Sequence, residues 1–219
     1  MKKFVFSLLL LMTLKYAYAM PDKIIIFRHG EDVGRESEET LEKKGFDRAR
    51  MLAKSVSRWG TFHEQGPSAI FSTTFHTTLT ASPIARAVNL PLQVINEREL
   101  FQEWLETGRD LSAEQDTLAE FYPIKGDRSI ALGEGERMQI LLRELKRPQY
   151  DHKLVLICWV HKEMQELVES LGYVHVPSWP EDKFGEKVFN RFWILNLAQD
   201  KKDKNGNYLF ANSVNNVSQ

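Results

Sequence analysis

Residues Lys23–Glu31 read KIIIFRHGE, a short unbroken apolar run that ends in Arg28, His29, Gly30 and Glu31. A run of this length, rich in β-branched residues, predicts a buried strand. A second and stronger run, Lys153–Val160 (KLVLICWV), ends in His161, Lys162 and Glu163. Strands that are apolar throughout belong to parallel sheets with helices on both faces. The rest of the chain supplies such helices. Leu41–Trp59 carries Phe46, Ala49, Leu52, Ala53, Val56 and Trp59 at helical spacing, and Gly60 ends it. Ala69–Ser72 reads as a strand, followed by a helix holding Leu79, Ile84, Ala85 and Val88, and Leu92–Ile95 reads as a third strand. Residues from Glu97 to Gly135 are irregular, with a short helical patch near Leu118–Phe121. Beyond them come an amphipathic helix at Glu134–Lys146, a helix at His161–Leu171 closed by Gly172, and a last strand at Val188–Leu197. The expected fold is α/β: a three-layer α/β/α sandwich around a mainly parallel sheet, as one domain over residues 20–199. Residues 200–219 form a polar tail, with Asn205-Gly206 marking a hairpin turn or a loosely held end.

The 219 residues include 29 Lys+Arg, 30 Asp+Glu and one Cys, with 42% hydrophobic residues. A core of this size needs no disulfide or metal staple. One Cys excludes an internal disulfide framework and a cysteine-built zinc site. A net charge of −1 without a basic stripe argues against nucleic acid as a partner.

Lys2 and Lys3 precede an apolar run from Phe4 to Leu14, and Ala17-Tyr18-Ala19 follows. This is the order of a secretory signal peptide, so residues 1–19 read as an export address and the mature chain begins near Met20. The apolar run falls short of the roughly 20 residues that span a bilayer. Stable membrane insertion is therefore not expected after cleavage, with an uncleaved anchor as the alternative. The protein is expected to be exported, periplasmic or secreted.

In open α/β sheets, ligands bind outside the carboxyl ends of the strands. His29 and His161 both stand immediately beyond such an end. A neutral imidazole is a competent nucleophile towards phosphorus, and a phosphohistidine divides one hard displacement into two easier ones. The transferred group carries negative charge on its oxygens, which the forked guanidinium of Arg28 suits. Gly30 allows close backbone approach. No metal or cofactor is required by this chemistry. Other chemistries lack their motifs. Met164, not Arg, stands six residues after Cys158, as a cysteine-based tyrosine phosphatase would not have it. His63-Glu64 lacks the second His of a metalloprotease helix, and no G-x-S-x-G or Walker A string occurs. Cys158 and the tryptophans 104, 159, 179 and 193 read as core or pocket wall, with Trp159 placed to flank a substrate.

The stretch IIIFRHGE at Ile24–Glu31 resembles the opening motif of the histidine phosphatase superfamily, also called phosphoglycerate mutase-like. Leu41–Ala53 (LEKKGFDRARMLA) resembles its L-T-x-x-G-x-x-x-A helix, and Ala69–Ala81 with Leu90-Pro91 resembles its T-A-x-x-I-A segment. Leu154–Val168 resembles the strand, second histidine and helix, while Trp179–Phe184 and Trp193–Leu197 resemble the ending of some bacterial members. The resemblance spans about residues 22 to 198.

It implies His29 as the phosphorylated nucleophile, with Arg28 and His161 binding phosphate, His161 at a helix N-terminus. The family's second pocket arginine is replaced here. Anchoring on Thr80-Ala81 places His76 at that position, and Arg35 is the other candidate to supply the cation. Arg86, in a rival S-P-x-x-R-A string, is rejected because that alignment leaves no room for the helix. For the general acid the resemblance points to Glu99, then Glu103, with Glu97 and Glu163 as weaker candidates and Lys162 where other branches place an Asp. The implied activity is metal-independent hydrolysis of phosphomonoesters, on a small phosphorylated substrate or with inorganic phosphate as ligand. The alternative is a catalytically impaired phospho-ligand-binding or interaction protein on the same fold.

Overall fold

The computed structural model describes residues 19–31, 41–59, 66–95, 121–124, 134–179, 191–210 and 214–216. Residues 1–18, read above as most of an export address, and Arg35, Glu97, Glu99, Glu103 and Trp104 lie outside this set.

The two apolar runs are neighbouring strands. Lys23–Arg28 (β1) and Leu154–Trp159 (β5) pair in parallel from Lys23↔Leu154 to Arg28↔Trp159. Pro67–Ser72 (β2) pairs in parallel with β5 on its other side, then with Leu92–Ile95 (β3), which pairs with Phe121–Ile124 (β4). The chain therefore leaves β1, builds outward through β2, β3 and β4, and returns to lay β5 between β1 and β2. That return sets the ends of β1 and β5 side by side, the position where an open sheet parts its loops and binds ligands. Arg191–Leu195 (β7) runs antiparallel to β1, and Val214–Asn216 (β9) pairs antiparallel with β7. The order is β4-β3-β2-β5-β1-β7-β9.

Alternation along the central strands divides the core in two. Ile24 and Ile26 of β1 face a cluster with Met138, Leu141, Leu145, Leu167 and Val168, while Ile25 and Phe27 face one with Leu52, Leu79, Ile84 and Phe192. The first set comes from Glu134–Leu145 (α3) and Met164–Ser170 (α4); the second includes residues of Lys43–Trp59 (α1) and Phe75–Ala87 (α2). Helices thus cover both faces of a mostly parallel sheet, the three-layer sandwich expected from the sequence.

Three details depart from the sequence reading. Phe121 opens a strand rather than closing a helical patch, and Pro123, which has no N–H to donate, is tolerated because β4 is the end strand of the sheet among the described residues. Residues 161–171 form a 3₁₀ turn, His161–Glu163, before α4 begins at Met164. Val188–Leu197 is not the last strand. Tyr208–Leu209 (β8) pairs in parallel with Tyr173–Val174 (β6), and β9 joins the main sheet. The tail is held by the turn its sequence announces: the Asp203 carboxylate accepts the N–H groups of Asn205 and Asn207, and Gly206 takes φ +87°. Those N–H bonds hold the Asp203 carboxyl below its usual range. Tyr173 stacks on Tyr208 at 5.0 Å and donates to Asp200, and burial together with that bond pushes its hydroxyl far above the usual phenol range.

Candidate active site

His29 follows β1 directly and is 4% exposed, as is Arg28. Its Nδ1 lies 2.7 Å from the carbonyl oxygen of Gly30. A carbonyl only accepts, so Nδ1 carries the proton and the lone pair rests on Nε2. The imidazole is thereby fixed in one tautomer, with the proton on Nδ1 and the lone pair on Nε2.

The loop that carries this ring is held from two sides. On one, the Gly30 N–H donates to Thr80 Oγ1 at 2.8 Å, and the Thr80 hydroxyl donates to the carbonyl of His76 at 2.8 Å. On the other, Gly30 lies back to back with Gly45 in the first turn of α1. A Cβ on Gly30 would stand 2.9 Å from the Gly45 Cα, and a Cβ on Gly45 would stand 2.4 Å from the Glu31 carbonyl oxygen. The close approach expected at Gly30 is thus made to a helix backbone. One turn along α1, Arg48 bonds both carboxylate oxygens of Glu31, through Nε at 3.2 and 3.0 Å and also through Nη2. Burial pulls the Glu31 carboxyl upward, but hydrogen bonds and charge from Arg48 outweigh it and leave the group below its usual range.

His76 sits in the first turn of α2. Thr74 caps that helix by accepting the Thr77 N–H, while the Thr77 hydroxyl accepts the N–H of Thr74, a reciprocal capping arrangement. The imidazoles of His76 and His29 have centroids 5.6 Å apart, tilted by 32°. His161, at the end of β5, has its ring centroid 6.0 Å from that of His29, tilted by 49°. Three of the six histidines, His29, His76 and His161, therefore meet from three separate strand–helix junctions. Arg86 lies exposed in the last turn of α2, at the opposite end from His76. The residue reached by anchoring on Thr80-Ala81, His76, therefore lies beside His29, and Arg86 lies at the far end of the helix.

The remaining candidates divide. Arg28 is buried on the α3/α4 side of β1, paired in register with Trp159, which is fully buried in that core and serves as core rather than substrate wall. Cys158 is fully buried, and burial pushes its thiol well above the usual range against a small opposing effect of Arg28. Glu163 is buried and turned to Arg137, whose Nη2 on α3 donates to its Oε1 at 2.8 Å. His161 opens a 3₁₀ turn rather than a helix, and Lys162 beside it is exposed. Among the described residues, no group of three or more His, Cys, Asp or Glu is arranged to hold a metal ion. No helix among them is long and apolar enough to cross a membrane.

Sequence reasoning passed over the contacts that hold the loops. Gly45 and Arg48 stand three residues apart on α1, so the spacing that brings Gly45 against Gly30 also brings Arg48 to Glu31. The Glu31–Arg48 pairing, between a loop and a helix 17 positions apart, was not read from the sequence. Nor was the Arg137–Glu163 pairing, between two helical segments 26 positions apart.

No family model matches the chain, and no curated protein matches it. Solved structures do. A mycobacterial glucosyl-3-phosphoglycerate phosphatase is 14% identical, with 90% of this chain and 100% of that chain covered at a TM-score of 0.48. The protein histidine phosphatase SixA complexed with tungstate is 16% identical over 80% of this chain and 97% of that one, at 0.37. A phosphoserine phosphatase from Entamoeba histolytica, in complex with 3-phosphoglyceric acid, is 19% identical over 67% and 80%, at 0.36. Likenesses of this degree are to the fold of those proteins, and the chemistry of this chain rests on its own residues.

Proposed function

We propose that this chain is a phosphomonoester hydrolase of the histidine phosphatase type, acting through a phosphohistidine on His29. The observation that carries the reading is the Nδ1–H bond from His29 to the Gly30 carbonyl, which puts the proton on Nδ1 and the lone pair on Nε2 in a buried site. In the first step, Nε2 attacks phosphorus, an N–P bond forms, and the bond from phosphorus to the ester oxygen breaks. That oxygen leaves with a proton from a carboxylic acid, for which Glu99 is the first choice and Glu103 the second. In the second step, water attacks phosphorus, gives its proton to the same carboxylate, and releases phosphate and the neutral imidazole.

Arg28, His161 and His76 bind the oxygens of the phosphoryl group in this reading, with Arg35 as a further cation. Imidazole in place of a guanidinium at His76 makes part of the pocket's positive charge depend on protonation, which a bound anion favours. The scheme needs no metal or cofactor. Residues 1–19 are proposed as a cleaved export address, placing the domain in the periplasm or outside the cell. Export favours hydrolysis over a mutase reaction, which must keep its phosphorylated intermediate and serve metabolism within the cell.

Steady-state assays on a generic aryl phosphate, extended to a panel of phosphomonoesters, test the reading. Wild-type protein turns over at least one ester, and His29→Ala lowers the rate by roughly a thousandfold or more. Unchanged turnover in His29→Ala overturns the assignment of His29. Phosphate binding without turnover of any ester favours the non-catalytic alternative.

A further inference from the structure

The side chains of Arg137 and Glu163 are 6% and 5% exposed, and their ion pair spans 2.8 Å. It is the most deeply buried ion pair among the described residues. Burying two charges is expensive, and apolar residues of similar volume often serve stability as well or better. Stability alone is therefore a poor reason for the pair. Its position offers a better one. Glu163 is the third residue of the 3₁₀ turn that His161 opens, and its N–H closes that turn on the Val160 carbonyl at 3.0 Å. Arg137 reaches it from the first turns of α3, a different layer element from the strand that delivers His161. One helix thus grips the turn at one end while β5 fixes the other.

We infer that Arg137 and Glu163 form a positioning pair that sets the His161 imidazole beside His29, and that Arg137 also cancels a carboxylate two residues from a phosphate ligand. The inference rests on the phosphoryl-transfer reading above. Neither residue touches the reacting atoms; both act through His161. Two effects follow from the physics. Loss of Arg137 removes the guanidinium that bonds Glu163 and leaves more negative charge near an anion site, which weakens anion binding. Loss of the pair as a whole removes that charge but also releases the turn.

The test uses full-length protein in four forms: wild type, Arg137→Met, Glu163→Gln and the double variant Arg137→Met/Glu163→Met. Melting temperature, kcat and KM on an active ester, and inorganic phosphate binding by calorimetry are measured for each. Arg137→Met is expected to lower kcat/KM by about 10- to 100-fold and weaken phosphate binding. Glu163→Gln, which keeps shape and one hydrogen bond, is expected to lose less. The double variant is expected to regain the wild-type melting temperature while kcat/KM stays low. The imidazole signals of His161, followed by nuclear magnetic resonance during phosphate titration, are expected to shift in the double variant relative to wild type. Recovery of both melting temperature and kcat/KM in the double variant means that the pair only holds the fold, and overturns the inference. Wild-type kcat/KM and phosphate affinity in Arg137→Met overturn it as well. Failure of the underlying reading shows separately, as an inactive wild type or an active His29→Ala.

Discussion

His29 and His161 leave the same edge of the same sheet from adjacent strands, yet the loops behind them are held by different physics. The His29 loop is fixed by backbone contact and neutral hydrogen bonds: Gly30 against Gly45, the Gly30 N–H on Thr80, and Nδ1–H on the Gly30 carbonyl. Its ion pair, Glu31 with Arg48, lies outward, with the Arg48 side chain 27% exposed. The His161 turn is anchored by charge instead, through the buried Arg137–Glu163 pair. The difference suits the two roles proposed for them. A nucleophile needs a defined tautomer and an uncharged nitrogen, which neutral donors and acceptors supply. A phosphate ligand needs a fixed place and no net negative charge behind it, which a neutralised carboxylate supplies.

The largest break in this comparison comes from steric contact at the His29 loop. Gly45→Ala places a methyl group 2.4 Å from the Glu31 carbonyl oxygen, backbone against backbone, so the loop or α1 must move. We expect a loss of about 3 kcal/mol in urea unfolding, with kcat falling alongside. Gly135→Ala, in α3 with nothing within 4 Å, is the control and should be neutral or slightly stabilising. Equal behaviour of the two variants would show that the Gly30–Gly45 contact does not shape the loop.

A smaller effect is expected from Thr80→Val, which keeps the shape of the side chain and removes the acceptor for the Gly30 N–H. Leaving that buried donor without its oxygen costs about 1–3 kcal/mol. Because the same bond steadies His29, kcat should fall while the melting curve stays cooperative. An unaltered kcat would separate Thr80 from the nucleophile.

The smallest effect belongs to the outward ion pair. The folded protein holds the Glu31 carboxyl below its ordinary value of 4.5. Its contribution to stability is therefore complete above about pH 4.5 and fades as the pH falls through the lower folded value. Glu31→Gln should lower stability modestly at neutral pH and flatten the loss on acidification, measured as urea midpoints on either side of pH 4.5. An acid limb identical to wild type would mean that the pair does not couple to folding.

The sheet and both histidine junctions were legible because their signals are local: apolar runs of strand length, each ending in a histidine. His76 was reachable through the spacing back from Thr80-Ala81, which the Thr80–His76 contact across one helical turn reflects. What was not legible depends on contacts between distant segments. The strand at Phe121–Ile124 contains a proline and is stabilised by β3, so its own four residues carry little strand signal. The tail strands exist because β7 and β6 offer them partners. Glu163 read as an open carboxylate because nothing near it in sequence announces Arg137.

The central claim is a covalent intermediate on His29, and the stereochemical course at phosphorus tests it most directly. A phosphate ester made chiral with oxygen isotopes is turned over by the wild-type protein into an acceptor alcohol, and the configuration of the product ester is read. Transfer to His29 inverts phosphorus and transfer away inverts it again, so the account predicts net retention. Net inversion, the result of a single direct displacement, would contradict it.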